Sequence, residues 1–156
     1  MREEAISLMQ QVAGSKGIQI RLDIDDEAGV HCDYNQISSV LRNLVSNSIK
    51  FTASGGRVVI SSRAIKDGYV ITVSDNGVGI EQNKLDLMLR QRISYTTKGT
   101  DNEPGTGLGI SLIAEFVEKN DGKLIGSSRP GHGTSFSFSL LVATKESNEA
   151  NSRSEV

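Results

Sequence analysis

The chain has no tryptophan, one cysteine and only 4% aromatic residues. With a single thiol, Cys32, no internal disulfide can form, which fits a reducing compartment. No run of about 18 apolar residues occurs and no charged-then-apolar leader stands at the amino end, so a membrane span or a secretory signal is not expected and the chain reads as cytoplasmic. Charge of one sign is also missing. The formal net charge of -2 provides no global basic field for nucleic acid or acidic lipid, so an anionic ligand has to be held locally. What is present in number is glycine: 16 residues, clustered rather than dispersed, in a chain of 156 residues that is the size of one domain.

Apolar periodicity organises the rest. Ile6, Leu8, Met9, Val12 and Ala13 form a helical stripe over 2–13, with Gly14 as its expected end. Ile18, Ile20, Leu22 and Ile24 alternate with polar residues as in a half-buried strand. Asp33 is placed to cap a helix over 34–51, whose Ile37, Leu41, Leu44 and Ser48 face a core. Strands are expected at 57–65 and 69–74, joined through Lys66, Asp67 and Gly68 as an antiparallel hairpin. From Asp75 to Gly109 glycines recur without clear periodicity, and a stretch of that length reads as a mobile lid. A helix over 108–119 and two strands near 123–128 and 134–142 complete the pattern, and the polar tail from Thr144 is expected to be disordered. The order of elements predicts an α/β (α+β) two-layer sandwich, a mixed and mainly antiparallel sheet with its helices on one face. The domain is expected to occupy 1–143, and the tail 144–156.

Four segments carry chemistry. Asn43, Asn47 and Lys50 share one stripe of the long helix at the edge of its apolar face. Amide oxygens suit a hard cation such as Mg²⁺, and an ammonium one turn on suits phosphate. The segment Asp75, Asn76, Gly77, Val78, Gly79, Ile80 follows a strand directly. Its carboxylate can accept from an exocyclic amine, and its glycines let backbone approach a flat ligand. Gly105, Thr106, Gly107, Leu108 and Gly109 run into a helix, where unpaired N–H groups and the macrodipole favour phosphate. Gly131, His132, Gly133 and Thr134 join the last two strands. Taken singly, these segments also fit a solvated helix face, an ordinary turn, a flexible linker and a hairpin turn.

Together, in this order and spacing, they resemble the ATP-binding catalytic domain of sensor histidine kinases of two-component systems. That family belongs to the wider superfamily of gyrase, heat-shock chaperone and mismatch-repair ATPases, with its Bergerat-type fold. L-R-N-L-V-S-N-S-I-K-F-T at 41–52 resembles the family's N box, D-N-G-V-G-I at 75–80 its first glycine box, G-T-G-L-G-I-S at 105–111 its second, and G-H-G-T-S-F at 131–136 its closing motif. The likeness covers about residues 2–142.

The resemblance implies ATP and Mg²⁺ as ligands. Asn47 would be the Mg²⁺ ligand, Asn43 a helper near metal and phosphate, and Lys50 a phosphate contact. Asp75 would bind the adenine amine, with Gly77, Gly79 and Ile80 beside it, Gly79 against the ring and Thr134 in the same network. Gly105, Thr106, Gly107, Leu108 and Gly109 would wrap the phosphates. The family's aromatic F box is weak here, where the chain reads L-R-Q-R-I-S-Y-T-T-K over 89–98. Lys98 is the expected γ-phosphate contact, with Arg90 and Arg92 as rivals.

The family phosphorylates a histidine on a helical dimerisation domain and then signals to a response regulator. His31 and His132, the two histidines present, lack the helical setting of an acceptor and read as surface residues. The implied activity is therefore phosphoryl transfer to a histidine outside this chain, with that helical domain as direct partner, the response regulator as indirect one, and neither nucleic acid nor direct membrane contact. Two alternatives share the boxes: a serine kinase of the anti-sigma-factor type, and a nucleotide-binding switch that has lost transfer.

Overall fold

The computed structural model describes residues 2–25, 30, 32–91 and 109–142. Helix α1 (Arg2–Lys16) leads into strand β1 (Gln19–Asp23), then helix α2 (Tyr34–Lys50), strands β2 (Arg57–Ile65) and β3 (Gly68–Asp75), helices α3 (Gln82–Gln91) and α4 (Gly109–Lys119), and strands β4 (Leu124–Arg129) and β5 (Gly133–Leu141). The five strands form one sheet in the order β1-β2-β3-β5-β4, with β1 parallel to β2 and the other pairs antiparallel. Helices cover one face of it, as the two-layer pattern requires, and the core lies between. Val40, Leu44, Val45, Val58, Val73, Leu85, Ile113, Val117 and Phe138 are its most deeply buried side chains.

Local chemistry accounts for the element ends. Asp33 is extended and its Oδ1 accepts the Gln36 amide at 3.0 Å, which fixes the start of α2 as the sequence indicates. Helix α1 runs on through Gly14 to Lys16, two residues beyond the expected end. It stops where Gly17 turns left-handed (φ 75), with Ile18 N donating to Ala13 O and Gly17 N to Gly14 O. That pair of hydrogen bonds is a Schellman stop, sealed by buried Ala13 and Ile18. In α4 the same motif places Asp121, not Gly122, at the left-handed position (φ 59); Gly122 N donates to Val117 O and Asp121 N to Glu118 O.

Two expectations need correction. The hairpin turn consists of Lys66 and Asp67, because Gly68 already pairs with Ile65 as the first residue of β3. Gly68 is required for closeness instead, since a Cβ there would be driven into the Leu140 carbonyl of the neighbouring strand. Second, residues 82–91 of the supposed lid are helix α3. Leu85, Met88 and Leu89 recur at helical spacing, and Leu85 and Leu89 lie over Gly126 of β4, whose missing side chain makes room for them. The first turn of α3 is tied down by Gln82, whose Nε2 donates to Gly126 O and whose Oε1 accepts the Ser128 amide. The remainder of that stretch, 92–108, and the tail 143–156 lie outside the described residues.

The opposite face of the sheet is hydroxyl-rich. Thr72 pairs with Ser137 at 2.8 Å and Ser74 with Ser135 at 2.7 Å, across β3 and β5. No described helix packs on that side. Nor is any helix among the described residues long and apolar enough to cross a membrane.

Candidate nucleotide site

Strand β3 ends on Asp75, which lies on the helix-covered side of the sheet with Val73 and faces α2. Its Oδ1 accepts the Gly77 amide at 2.9 Å and the Thr134 amide at 3.2 Å, and the Ser48 hydroxyl of α2 bonds the same carboxyl group. Burial nevertheless raises its pKa above the ordinary carboxylate value, with those three hydrogen bonds opposing the shift. Asp75 is thus a partly desolvated acceptor in a fixed position.

The glycines around it are there for close approach. A Cβ on Gly77 would meet the Phe51 carbonyl and the Asp75 carboxylate, and one on Gly133 (φ 97) would run into the Asp75 backbone. Gly79 is left-handed (φ 67) and pressed against the Arg129 carbonyl. Next to it, Ile80 N donates to Ser128 Oγ at 2.9 Å; Ser128 also bonds Gly133 O and shares a 2.7 Å contact with Thr134 Oγ1. Thr134 therefore reaches Asp75 through its backbone and the first glycine box through Ser128. The box is clipped to α2 by Val78 N donating to Phe51 O at 3.0 Å.

Helix α2 supplies the polar stripe. Asn43 is half-buried, and its Nδ2 donates to Ser39 O at 2.8 Å, which sets the orientation of the amide. Asn47, one turn on, is also half-buried, and a Cβ on Gly109 would come within 3.6 Å of its Nδ2. The amino end of α4, where the second glycine box finishes, is thereby brought beside the proposed metal ligand. Lys50 Nζ sits 4.9 Å from the centre of the Phe51 ring.

Of the sequence-derived site residues, the structure gathers Asp75, Gly77, Gly79, Ile80 and Thr134 into one network and sets Asn47 against Gly109. Asn43 and Lys50 belong to the same helix. Lys98, Gly105, Thr106, Gly107, Leu108 and the rival Arg92 lie outside the described residues, as does His31. Arg90 is exposed in the last turn of α3, and His132 is exposed in the β4–β5 turn. Sequence reasoning missed Ser48 and Ser128. Ser48 stood in the core stripe and signalled only that a hydroxyl was buried there; Ser128 carries no pattern of its own.

The donor set suits a metal nucleotide. No group of three or more His, Cys, Asp or Glu side chains able to hold a metal ion occurs among the described residues. A hard cation held by one or two amide oxygens has to share its remaining positions with phosphate and water, which is how Mg²⁺ accompanies ATP.

Residues 32–144 match the family described as histidine kinase-, DNA gyrase B- and HSP90-like ATPases. The chain belongs to that family. Histidine protein kinase DivJ of Caulobacter vibrioides is 33% identical over 90% of this chain and 24% of its own length. Sporulation kinase E of Bacillus subtilis is 32% identical over 89% of this chain and 18% of its own. The catalytic domain of histidine kinase ThkA superposes with a TM-score of 0.73 at 26% identity, covering 89% of this chain and 90% of that one. Within the family, the chain is therefore an ATP-binding catalytic domain of the histidine-kinase kind. It spans less than a quarter of the length of these two curated kinases.

Proposed function

We propose that this domain binds Mg²⁺–ATP and presents the γ-phosphoryl group to a histidine nitrogen on a helical dimerisation domain of the same kinase, a response regulator being the later recipient. The observation that carries the reading is the placement of Asp75, fixed by Gly77, Thr134 and Ser48, against the helix whose Asn47 lies beside the amino end of α4. Adenine would be read by Asp75 and packed along Gly79. Asn47, helped by Asn43, would hold Mg²⁺, which when bound offsets charge on the phosphates. Gly105, Thr106, Gly107, Leu108 and Gly109 would donate backbone N–H groups to the phosphates, with Lys50 and Lys98 as cationic contacts.

In the transfer, the bond from the γ-phosphorus to the β,γ-bridging oxygen breaks and a phosphorus–nitrogen bond forms. ADP leaves, and the imidazole gives up its proton. A neutral imidazole nitrogen is already nucleophilic, so the domain's part is position and electrostatics rather than covalent chemistry. We place the functional domain at 1–143 in the cytoplasm, with 144–156 as a tail.

The test is to incubate this domain with γ-labelled ATP and a separately prepared dimerisation domain of the parent kinase. Acid-labile, base-stable label on that domain is expected. Acid-stable label would instead mean a serine kinase. Nucleotide binding without any transfer would mean a switch.

A further inference from the structure

The last turn of α2 borders the site on the side of Asn47 and Lys50, and it is the negative pole of that helix. Of its last carbonyls, Asn47 O accepts from Phe51 N at 3.1 Å and Ile49 O from Thr52 N at 3.4 Å, both just past the helix; the partial negative charge of this end is unfavourable to a polyphosphate bound nearby. The amino end of α4, at Gly109, is a positive pole and lies beside Asn47. One helix end thus favours the anion and the other opposes it.

The opposing pole is covered by a residue outside the four motifs. Lys16, in the last turn of α1, is half-buried, and its Nζ donates to the carbonyls of Ile49 at 2.9 Å and Lys50 at 3.0 Å. The reach is held by the junction around it. Gly55 N donates to Gly17 O at 2.8 Å and Gln19 N to Gly56 O at 3.1 Å, so the α1–β1 turn is fastened to the α2–β2 loop directly beside the ammonium group. Phe51, the next residue in the chain, carries the carbonyl that fixes Val78 of the first glycine box. A full positive charge therefore sits on the terminus that bears Asn47 and Lys50, without any need to touch the ligand itself.

We infer that Lys16 is a positioning residue for nucleotide phosphates: it cancels the negative pole of α2 and so raises affinity in proportion to the charge of the ligand. The inference rests on the nucleotide reading of the site and adds to it a residue from the first helix. A purely mechanical tie between α1 and α2 would affect all ligands of the site alike, whereas an electrostatic one discriminates among them by phosphate number.

The experiment measures binding of adenosine, AMP, ADP and Mg²⁺–ATP to the whole chain, as wild type, Lys16→Met, Lys16→Gln and Lys16→Arg. In Lys16→Met the expected loss is roughly fivefold for ATP, smaller for ADP and under about twofold for adenosine, with Lys16→Arg close to wild type. Lys16→Gln keeps a donor without the charge and should behave like Lys16→Met; it carries the test if the Met variant does not fold. Equal losses for adenosine and ATP, or none for either, would overturn the inference while leaving the site intact. Failure of the wild type to bind any of the four would remove the nucleotide reading, and this inference with it.

Discussion

The backbone amide of Asp33 donates to Asn120 Oδ1 at 2.6 Å, joining the residue that starts α2 to the residue that follows α4. Asn120 is buried, and its Nδ2 donates to Gln36 Oε1 at 2.9 Å and Phe116 O at 2.7 Å. The two helices run antiparallel. They are pinned here at one end and meet at the other where Gly109 approaches Asn47. Replacing Asn120 with Ala leaves three partners unsatisfied or newly hydrated. Chemical denaturation should show a loss of about 1–3 kcal/mol. An unchanged midpoint would mean that the junction contributes nothing net.

Asp75→Asn separates function from stability. The amide keeps an oxygen for the Gly77 and Thr134 donors but loses the charge that strengthens a bond to the adenine amine. ADP affinity should fall by about 1.5–3 kcal/mol by calorimetry. Thermal stability of the unliganded domain at neutral pH should stay the same or rise, because burial disfavours the ionised carboxylate.

The same raised pKa sets the pH dependence, with opposite signs for the two quantities. For folding, a raised native pKa gives a contribution that is full below the unfolded value and is lost as pH rises through the native one. For binding, the ionised form is the better acceptor, so affinity is lost as pH falls through the native pKa, starting above the usual carboxylate range. Titrations of ADP affinity for wild type and Asp75→Asn should converge on acidification. Parallel curves would exclude Asp75 as the titrating group.

Gly79→Ala combines a left-handed backbone with a Cβ driven into the Arg129 carbonyl. The expected cost is about 2–4 kcal/mol, measured as lost stability or, if the loop yields instead, as lost nucleotide affinity. No change in either would show that the loop adapts freely.

Asn47→Ala removes the side-chain amide whose Nδ2 lies nearest Gly109, and with it the oxygen proposed to hold Mg²⁺. Nucleotide affinity measured with Mg²⁺ should drop toward the value measured with a chelator, and the difference between the two conditions should nearly vanish. A full Mg²⁺ effect in the variant would reassign the metal ligand.

Most of the fold was legible because its elements carry clean periods. Helix α2 announces itself through Asp33 and the stripe from Ile37 to Ser48, β2 and β3 through β-rich runs either side of a turn signal, and β5 through alternation. Helix α3 escaped because its apolar stripe is brief, Leu85 with Met88 and Leu89, inside a stretch dominated by glycine signals. Gly14 misled because one glycine costs a helix little beside the Schellman bonds that Gly17 and Ile18 make further on. At the site, Asp75, Thr134 and the glycines stand in recognisable strings. Ser48 and Ser128 do not, since each acts through one hydroxyl whose partners are far away in sequence. Lys16 was hidden for the same reason, being joined to Ile49 and Lys50 only by the fold.

The hydroxyl pairs on the side of the sheet that no described helix covers, Thr72 with Ser137 and Ser74 with Ser135, satisfy one another across the strands. None of these four hydroxyls is among the partners described for Asp75 or Asn47. Changing these four side chains removes none of the hydrogen bonds that hold Asp75, so the chemistry of one face of the sheet is separable from that of the other.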